Sequence, residues 1–313
     1  MRHVRMLGLC LVAVFAVSAI AAATASAGVP EFGQCYEKAG TGLYSNSSCT
    51  VKAKPKGTGN FEWRKAAEVA NKKFLGSAGA GVLQGAYYFC VGPKGDQPRT
   101  GRPCKPEYPE EVEFLEKPLN VECESEANHG EFSGSKEVGN ISVVFKGCKL
   151  LGTAPCENTS EEGTIHVNTL KGKVAFINKG ATPREVGLQL EPAVKKGRFA
   201  QFECLGFVTT VVGVGNKTKE GCAYNETTKC GGDQIIGSIT PVNTQTHSMT
   251  QTFKINEETQ ENIPNKLEGK PRASLESYIY NTEEPEYTSQ WSKAGETVTN
   301  VAVSEEEGEI KAN

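Results

Sequence analysis

Leu119-Asn120-Val121-Glu122-Cys123-Glu124 alternates apolar and polar side chains, residue by residue. Such alternation is typical of a β-strand that packs one face on a core and turns the other to water. The same pattern recurs along the rest of the chain, and clusters of Gly, Asn and Pro separate the runs. The further runs lie at 141–147, 164–168, 185–190, 199–204, 207–214, 234–239, 248–255, 275–280 and 297–303.

The spacing of these runs indicates the fold class. No helical pattern of about 10–15 residues separates them, so parallel βαβ units are not expected. Residues 119–313 are therefore predicted to form one antiparallel β domain, either a sandwich or a barrel. We accordingly assign the chain to the all-β class, with disulfides as additional staples.

The chain before this domain has a different composition. Residues 28–75 are rich in Gly, Ser and Lys and contain two cysteines, which indicates a small disulfide-containing N-terminal module. Residues 76–118 are rich in Pro and Gly and are predicted to be a connecting region.

At most one short helix is expected, over residues 61–74. Apolar residues recur there at helical spacing, although the segment carries no clear cap. The residues concerned are Ala66, Ala67, Ala70 and Phe74.

Residues 1–27 have the three parts of a cleavable secretory signal. A short basic start is followed by a nearly all-apolar run over 6–22 and by the small residues Ala25-Ser26-Ala27. We expect cleavage after this triplet, so that the mature chain starts at Gly28. A transmembrane anchor is the alternative, but a run of about 17 residues is at the short limit for spanning. No membrane association is expected after cleavage, and the predicted location is extracellular or associated with the cell wall.

Ten of the 11 cysteines follow the predicted signal, and an even number in an oxidising compartment predicts five disulfides. No two have the C-x-x-C spacing of zinc knuckles or thioredoxin-type motifs, so no metal site is predicted. The predicted disulfide residues are Cys35, Cys49, Cys90, Cys104, Cys123, Cys148, Cys156, Cys204, Cys222 and Cys230.

Spacing narrows the connectivity, because four pairs would close loops of about 7–14 residues. These predicted pairs are Cys35–Cys49, Cys90–Cys104, Cys148–Cys156 and Cys222–Cys230. They leave Cys123 to pair with Cys204. Both residues lie in alternating runs, so we expect the 119–124 and 199–204 strands to be sheet neighbours or to face each other across the core.

Charge excludes some classes of partner. Without Arg2 and Arg5 the chain has 32 basic and 37 acidic residues. The resulting net charge of −5 does not favour binding to nucleic acid or to an anionic membrane. Almost all the acid is Glu, since the aspartates are Asp96 and Asp233 alone, and this lowers the expectation of calcium loops.

No motif for catalysis or cofactor binding emerges. The mature histidines, His129, His166 and His247, lack an activated serine and a G-x-S-x-G elbow, and His129 precedes a glycine in a predicted turn. The stretch 133–136 matches S-x-x-K, but its glycines favour a turn over the helix that the motif needs. Gly213-Val214-Gly215 lacks the third glycine of a phosphate loop. We predict no catalytic residue and no cofactor.

Three other features have ordinary explanations. N-x-S/T triplets would be glycan acceptors in a eukaryotic secreted protein, but a chain rich in Asn and Thr produces them by chance. Tyr87-Tyr88-Phe89 could stack on sugar but fits a core strand, and Glu305-Glu306-Glu307 fits a solvated face. The triplets begin at Asn46, Asn140, Asn158, Asn216 and Asn225.

Several motifs together resemble an uncharacterised family of secreted, β-rich, cysteine-containing proteins of high-GC Gram-positive bacteria (actinobacteria). The resemblance covers most of the mature chain and departs at 65–118 and 216–232, which look like insertions. It implies export, a β-rich body and a bacterial origin, and it transfers no active site. The motifs are Pro30–Cys35, Gly40-Thr41-Gly42, Phe61-Glu62-Trp63, Val121-Glu122-Cys123, Gly130–Gly134, Val138-Gly139-Asn140, Phe145–Cys148, Leu170-Lys171-Gly172, Val186-Gly187-Leu188, Phe202-Glu203-Cys204 and Ile239–Asn243.

The leading hypothesis is a secreted or cell-surface-associated binding or structural module without catalytic activity. The expected partner is a cell-wall glycan or another secreted protein. An extracellular hydrolase acting on glycans is the alternative, and a secreted inhibitor-like protein is a third. Two carboxyl groups about 5–9.5 Å apart in a cleft, one with a raised pKa, would favour the hydrolase.

Overall fold

The computed structural model describes residues 28–68, 73–91, 113–194, 197–205, 207–213, 234–256, 262–264, 266–271, 275–281 and 292–312. Its regular structure is almost entirely β. The strands are β1 Glu31–Gly42, β2 Gly59–Lys65, β3 Lys73–Ala78, β4 Gly81–Val91, β5 Glu113–Cys123, β6 Ser125–Phe132, β7 Glu137–Lys146, β8 Lys149–Leu150, β9 Ala154–Glu157, β10 Ile165–His166, β11 Leu170–Asn178, β12 Glu185–Pro192, β13 Arg198–Cys204, β14 Phe207–Gly213, β15 Ile235–Thr240, β16 Thr246–Ile255, β17 Asn262–Ile263, β18 Lys266–Leu267, β19 Lys270–Pro271, β20 Leu275–Asn281 and β21 Ser292–Lys311.

Eight of these strands close into an antiparallel barrel. The order around the barrel is β3, β6, β7, β11, β12, β15, β16 and β21, and β21 returns to pair with β3. Every pairing in this ring is antiparallel, so the barrel has no free sheet edge there. The predicted all-β class and antiparallel architecture are confirmed, and the barrel is the one of the two alternatives that forms.

Seven further strands form a second tier of pairings that shares β21 with the barrel. β4 and β5 continue the β3/β6 pair in the same register, with Ala78 opposite Glu126 and Gly81 opposite Cys123. Pairing then runs from β5 through β8, β9, β13, β14 and β20 back to β21. β21 belongs to both tiers because it is 20 residues long.

Alternation of side chains along the strands creates the core inside the barrel. In β7 the apolar side chains of Val138, Ile141, Val143 and Phe145 are buried, while neighbours such as Glu137 are exposed. Both faces of β12 are buried over most of its length, because Ile236 and Ile177 pack against Gly187.

The N-terminal strands attach to one end of the barrel. β1 pairs with β2, and its first residues pair with the last residues of β21, with Phe32 opposite Ile310. The amide of Phe32 also donates to the carbonyl of Ser135 in the β6–β7 turn, at 2.6 Å. The β1/β2 hairpin is therefore hydrogen-bonded directly to the barrel.

Two expectations for the chain before residue 119 differ from the structure. The predicted helix over 61–74 is wrong, because 61–65 belong to β2, 73–74 belong to β3, and the described residues between them form a 3-10 turn at Ala66–Glu68. Pairing with β1 overrides the weak helical spacing of the alanines. The predicted connecting region 76–118 includes β4 and the start of β5, so it contributes strands to the barrel.

Three disulfides lie in the described residues, and the predicted Cys35–Cys49 pair is confirmed. The predicted Cys148–Cys156 and Cys123–Cys204 pairs are wrong, since the bridges are Cys123–Cys148 and Cys156–Cys204. The side chains of Cys90, Cys104, Cys222 and Cys230 lie outside the described part of the chain.

The four cysteines of these two bridges form one row across adjacent strands. Cys204 is the register partner of Cys156, and the amide of Cys156 donates to the carbonyl of Cys148 at 3.0 Å. Cys148 and Cys156 are therefore neighbours, but each bonds the cysteine on its other side. The 119–124 and 199–204 strands do not pair, and Val121 and Phe202 both line the barrel interior. Three intramolecular disulfides fit an oxidising extracellular environment. Within the described ranges, no helix is both long and apolar enough to cross a membrane.

Candidate functional site

The barrel encloses a cavity of about 130 Å³. Most of its wall is apolar, and the far side from β3 is formed by β11, β12 and β15. Those three strands contribute Leu170, Leu188, Leu190, Ile235 and Ile239. An eight-stranded barrel is just wide enough either to be filled by side chains or to hold one small ligand.

The floor of the cavity is an aromatic cluster. Phe32 of β1 lies 4.9 Å from Phe132 of β6, measured between ring centroids, and Phe74 of β3 lies 5.5 Å from Phe132. All three rings line the cavity, and Phe32 is only 2% exposed. The N-terminal hairpin therefore supplies part of the cavity wall, which the division into separate modules did not predict.

Polar side chains interrupt the apolar wall on one side, on strands β4, β6 and β21. We refer to them as the polar patch. Its members are Gln84, Glu126, Asn128, Glu296 and Asn300.

The centre of the polar patch is a hydrogen-bonded carboxyl group. Glu126 is 6% exposed, and its Oε1 accepts from Nδ2 of Asn300 at 2.9 Å and from Nδ2 of Asn128 at 2.8 Å. Glu126 and Asn300 stand on either side of Ala78, which is the register partner of both. The small side chain of Ala78 leaves room for the two long ones to meet above it.

Gly76 makes similar room for Asn128. A β-carbon on Gly76 would lie 2.2 Å from Oδ1 of Asn128, so no larger residue fits beside this amide without displacing it. Gly76 and Ala78 alternate with residues that point outward on β3, including Leu75, which is exposed. The sequence of β3 therefore keeps its inward face small where the polar side chains lie.

Glu296 adds a second carboxyl group to the cavity. Burial, together with the nearby charge of Glu126, raises the pKa of Glu296 to about 8. The pKa of Glu126 is also raised, chiefly by burial, and the hydrogen bonds from Asn128 and Asn300 lower it in part. Because the pKa of Glu296 is about 8, its carboxyl group is mainly protonated at neutral pH.

The other polar atoms of the patch differ in whether they have a hydrogen-bond partner. Nε2 of Gln84 donates to Oδ1 of Asn120 at 3.0 Å. Oδ1 of Asn300 is buried and has no hydrogen-bond partner within the described part of the protein. An unsatisfied acceptor in an apolar cavity costs about 1–3 kcal/mol.

The histidines do not assemble into a site. His166 is exposed on β10, as expected for a polar strand face. His129 lies within β6 and not in a turn, so that expectation is wrong. His247 borders the cavity near its floor but is more than half exposed, and its Nε2 lies 3.9 Å from Oε1 of Glu307.

The other motifs of the sequence have structural roles or lie outside the described residues. Residues 133–136 form the β6–β7 turn, as expected from their glycines, and Gly134 donates to the carbonyl of Glu137. The described triplet asparagines, Asn46, Asn140 and Asn158, all use their amide nitrogens in hydrogen bonds within the protein. The side chains of 87–89, and residues 214–216 and 225, are not described. Glu305 and Glu307 are exposed, as predicted for a solvated face.

Sequence reasoning missed the polar patch. In the stretch Ser125–Phe132, Glu126 and Asn128 point inward and Ala127 points outward, which inverts the usual pattern. Ala294, Val298 and Ala302 share the inward face of β21 with Glu296 and Asn300. These polar residues lie at the same two-residue spacing as the apolar ones, and this spacing could have placed them on the inward face.

The arrangement supports binding more directly than chemistry. An apolar wall faces a patch that carries two carboxyl groups and an unsatisfied acceptor, so the cavity is suited to a small ligand with an apolar part and a hydrogen-bond donor. Within the described residues, no three His, Cys, Asp or Glu side chains group as a metal site. Comparison with protein-family models finds no match, and comparison with curated proteins finds no significant relative.

Proposed function

We propose that this protein is a secreted or cell-surface-associated, non-catalytic binding module whose barrel interior takes a small, largely apolar ligand. The observation that supports this most strongly is the cavity itself, about 130 Å³ inside a closed eight-stranded barrel. A native protein interior normally packs without such a void, because every unfilled volume loses dispersion contacts.

Small residues at inward positions account for the open space. Ala302 on β21 and Ala200 on β13 line the cavity at positions where Leu or Phe would fill it. The volume is close to that of an engineered apolar cavity of about 150 Å³ that binds benzene. The proposed ligand, or the part of it that enters the barrel, is therefore about the size of one six-membered ring.

The proposed location follows from residues 1–27 and from the disulfides. The basic start, apolar run and Ala25-Ser26-Ala27 are features typical of an exported chain, and the bridges fit an oxidising compartment. A ligand there would be a small molecule of the medium or an apolar group of a cell-wall component or of another secreted protein.

Toluene binding tests the proposal directly. We expect saturable chemical-shift changes in the wild-type protein, and at least a tenfold weaker affinity in Ala302→Leu, which fills the cavity from β21. Val301→Leu is the matched control, because Val301 is the preceding residue and points outward. The proposal fails if the wild type shows no saturable binding or if Ala302→Leu binds toluene equally well.

Hydrolysis of glycans is the second candidate, and the pair Glu126 and Glu296 favours it. Glycosidases use two carboxyl groups, one of them kept protonated by a raised pKa, and both of these pKa values are raised. The apolar wall argues against a sugar as the occupant, since it offers few hydrogen bonds to ring hydroxyls. This candidate predicts new reducing ends when the protein is incubated with cell-wall glycan, and none with Glu126→Gln or Glu296→Gln.

A further inference from the structure

The polar patch presents several acceptors to the cavity, and the unpartnered Nε2 of Gln251 belongs to the residue opposite Asn300 on the neighbouring strand β16. Nδ2 of Asn300 is already committed to Glu126, so the part of this amide that remains unpaired is its oxygen. Asn300 is 4% exposed and lines the cavity, and no described residue donates a hydrogen bond to its buried Oδ1. A ligand that donates hydrogen bonds would satisfy it.

The two carboxyl groups add further acceptors in the same wall. Oε1 of Glu126 receives two amides, while the causes that shift the pKa of Glu296 are burial and the charge of Glu126, with no hydrogen bond among them. An ammonium group has three donors and no acceptor, which matches this set of oxygens. A hydroxyl group has a single donor and would satisfy fewer of them.

The charged groups that line the cavity also favour a cationic ligand. Among the described side chains that line it, the titratable groups are Glu126 on β6, Glu296 on β21 and His247 on β16, and none is Lys or Arg. His247 lies near the floor beside Glu307 and is largely in solvent. Glu126 is buried and Glu296 is half-buried, and no Lys or Arg among the described lining residues is available to balance a negative charge on either carboxyl group.

We propose that the polar patch makes the cavity selective for primary amines, with the ammonium group received by Glu126, Glu296 and Oδ1 of Asn300 and the apolar body against β11, β12 and β15. This inference rests on the proposed ligand-binding function and names the chemical class of the ligand. Binding of the cation would release the proton that Glu296 holds near neutral pH.

Benzylamine, benzyl alcohol and toluene form a matched series for the test, since all three carry the same ring. Benzyl alcohol also checks whether a hydroxyl is enough, because the buried Nε2 of Gln251 lines the same cavity without a partner and can donate to it. At pH 7 we expect calorimetry on the full protein to show benzylamine binding at least tenfold more tightly than the other two. Glu296→Gln should reduce that preference to less than threefold, and Glu305→Gln, on the outward face of the same strand, should not alter it.

The possible results distinguish a failure of the amine selectivity from a failure of apolar ligand binding. If toluene binds and benzylamine has no advantage, or keeps its advantage in Glu296→Gln, the amine selectivity is wrong while the cavity still binds apolar ligands. If none of the three binds, both proposals fail. Calorimetry of the wild type in two buffers of different ionisation enthalpy gives a check that needs no variant, because the proposal requires release of a proton on benzylamine binding, and zero or proton uptake would overturn it.

Discussion

Asn300 on β21 and Glu126 on β6 are joined across the barrel wall by a hydrogen bond of 2.9 Å between Nδ2 and Oε1. The strand between them, β3, places Ala78 opposite both residues. This contact ties three neighbouring strands of the barrel together and holds a buried carboxyl group at the cavity wall. The stability and the binding properties of the protein therefore depend on the same side chains.

Asn300→Leu should destabilise the fold by about 1–3 kcal/mol, because Glu126 loses a donor in a buried site. Urea denaturation at pH 7 measures the change. Thr299→Leu is the control, since residue 299 is exposed on the same strand. A loss no larger than that of the control would show that the hydrogen bond contributes nothing to stability.

Stability should fall as the pH rises from about 5 to 8. The unfolded chain ionises the Glu296 carboxyl near its ordinary pKa of 4.5, whereas the folded protein does so near 8, so the folded state binds more protons between these values. The raised pKa values of Glu126 and Glu309, caused chiefly by burial, act in the same direction. Thermal midpoints measured across this range should decrease.

Glu296→Gln isolates the contribution of one carboxyl group. Because one unit of pKa shift corresponds to about 1.4 kcal/mol, the variant should gain on the order of 4 kcal/mol at pH 8 and only about 1 kcal/mol at pH 5. Glu305→Gln, at an exposed site of β21, should show no such pH-dependent gain. Equal effects of Glu296→Gln at both pH values would mean that burial of the charge is not the cause.

The Cys156–Cys204 bridge should contribute more to stability than Cys35–Cys49. The sequence separations are 48 and 14 residues, and the chain-entropy treatment gives about 4 and about 3 kcal/mol for loops of these lengths. Replacing each pair by alanine and comparing thermal midpoints tests the order. Peptide mapping without reduction should recover Cys123 joined to Cys148, and recovery of Cys148 joined to Cys156 would contradict the connectivity.

Phe32→Ala should destabilise the protein by about 3–5 kcal/mol and enlarge the cavity at its floor. The ring packs on Phe132 and is almost fully buried, although it belongs to the N-terminal hairpin. Val29→Ala is a matched control in the same segment, because Val29 is 43% exposed. If Phe32→Ala unfolds no more easily than the control, the hairpin is not an integral part of the barrel.

Processing remains a prediction of the sequence alone. Cleavage after Ala27 would give a secreted protein whose intact mass corresponds to a chain that starts at Gly28. Retention of Met1 in a membrane fraction would contradict it.

Alternation was a reliable guide where one strand face is apolar and the other is polar, as in β7 and β10. It failed for β3, because Gly76 and Ala78 on its inward face give no apolar signal. The polar patch was not predicted because Glu126 and Asn128 point inward, whereas polar residues in an alternating run are normally assigned to the solvent-facing side. Strand pairing between distant parts of the chain decides which face is inward, and spacing within one run cannot supply that information.

The disulfides illustrate the same limit. Short spacing predicted Cys35–Cys49 correctly, because that loop closes within one hairpin module. For Cys148 and Cys156 short spacing was misleading, since these cysteines lie side by side and each bonds the strand on its other side. Only the order of strands around the barrel distinguishes the two connectivities.

A crystal structure of the protein soaked with benzene would show whether the barrel interior is an open ligand site. We expect one benzene molecule inside the barrel, in contact with Leu170, Leu188 and Ile235, and no such density in a crystal of Ala302→Leu treated in the same way. A barrel interior found filled by protein side chains, or benzene found only on the outer surface, would contradict it.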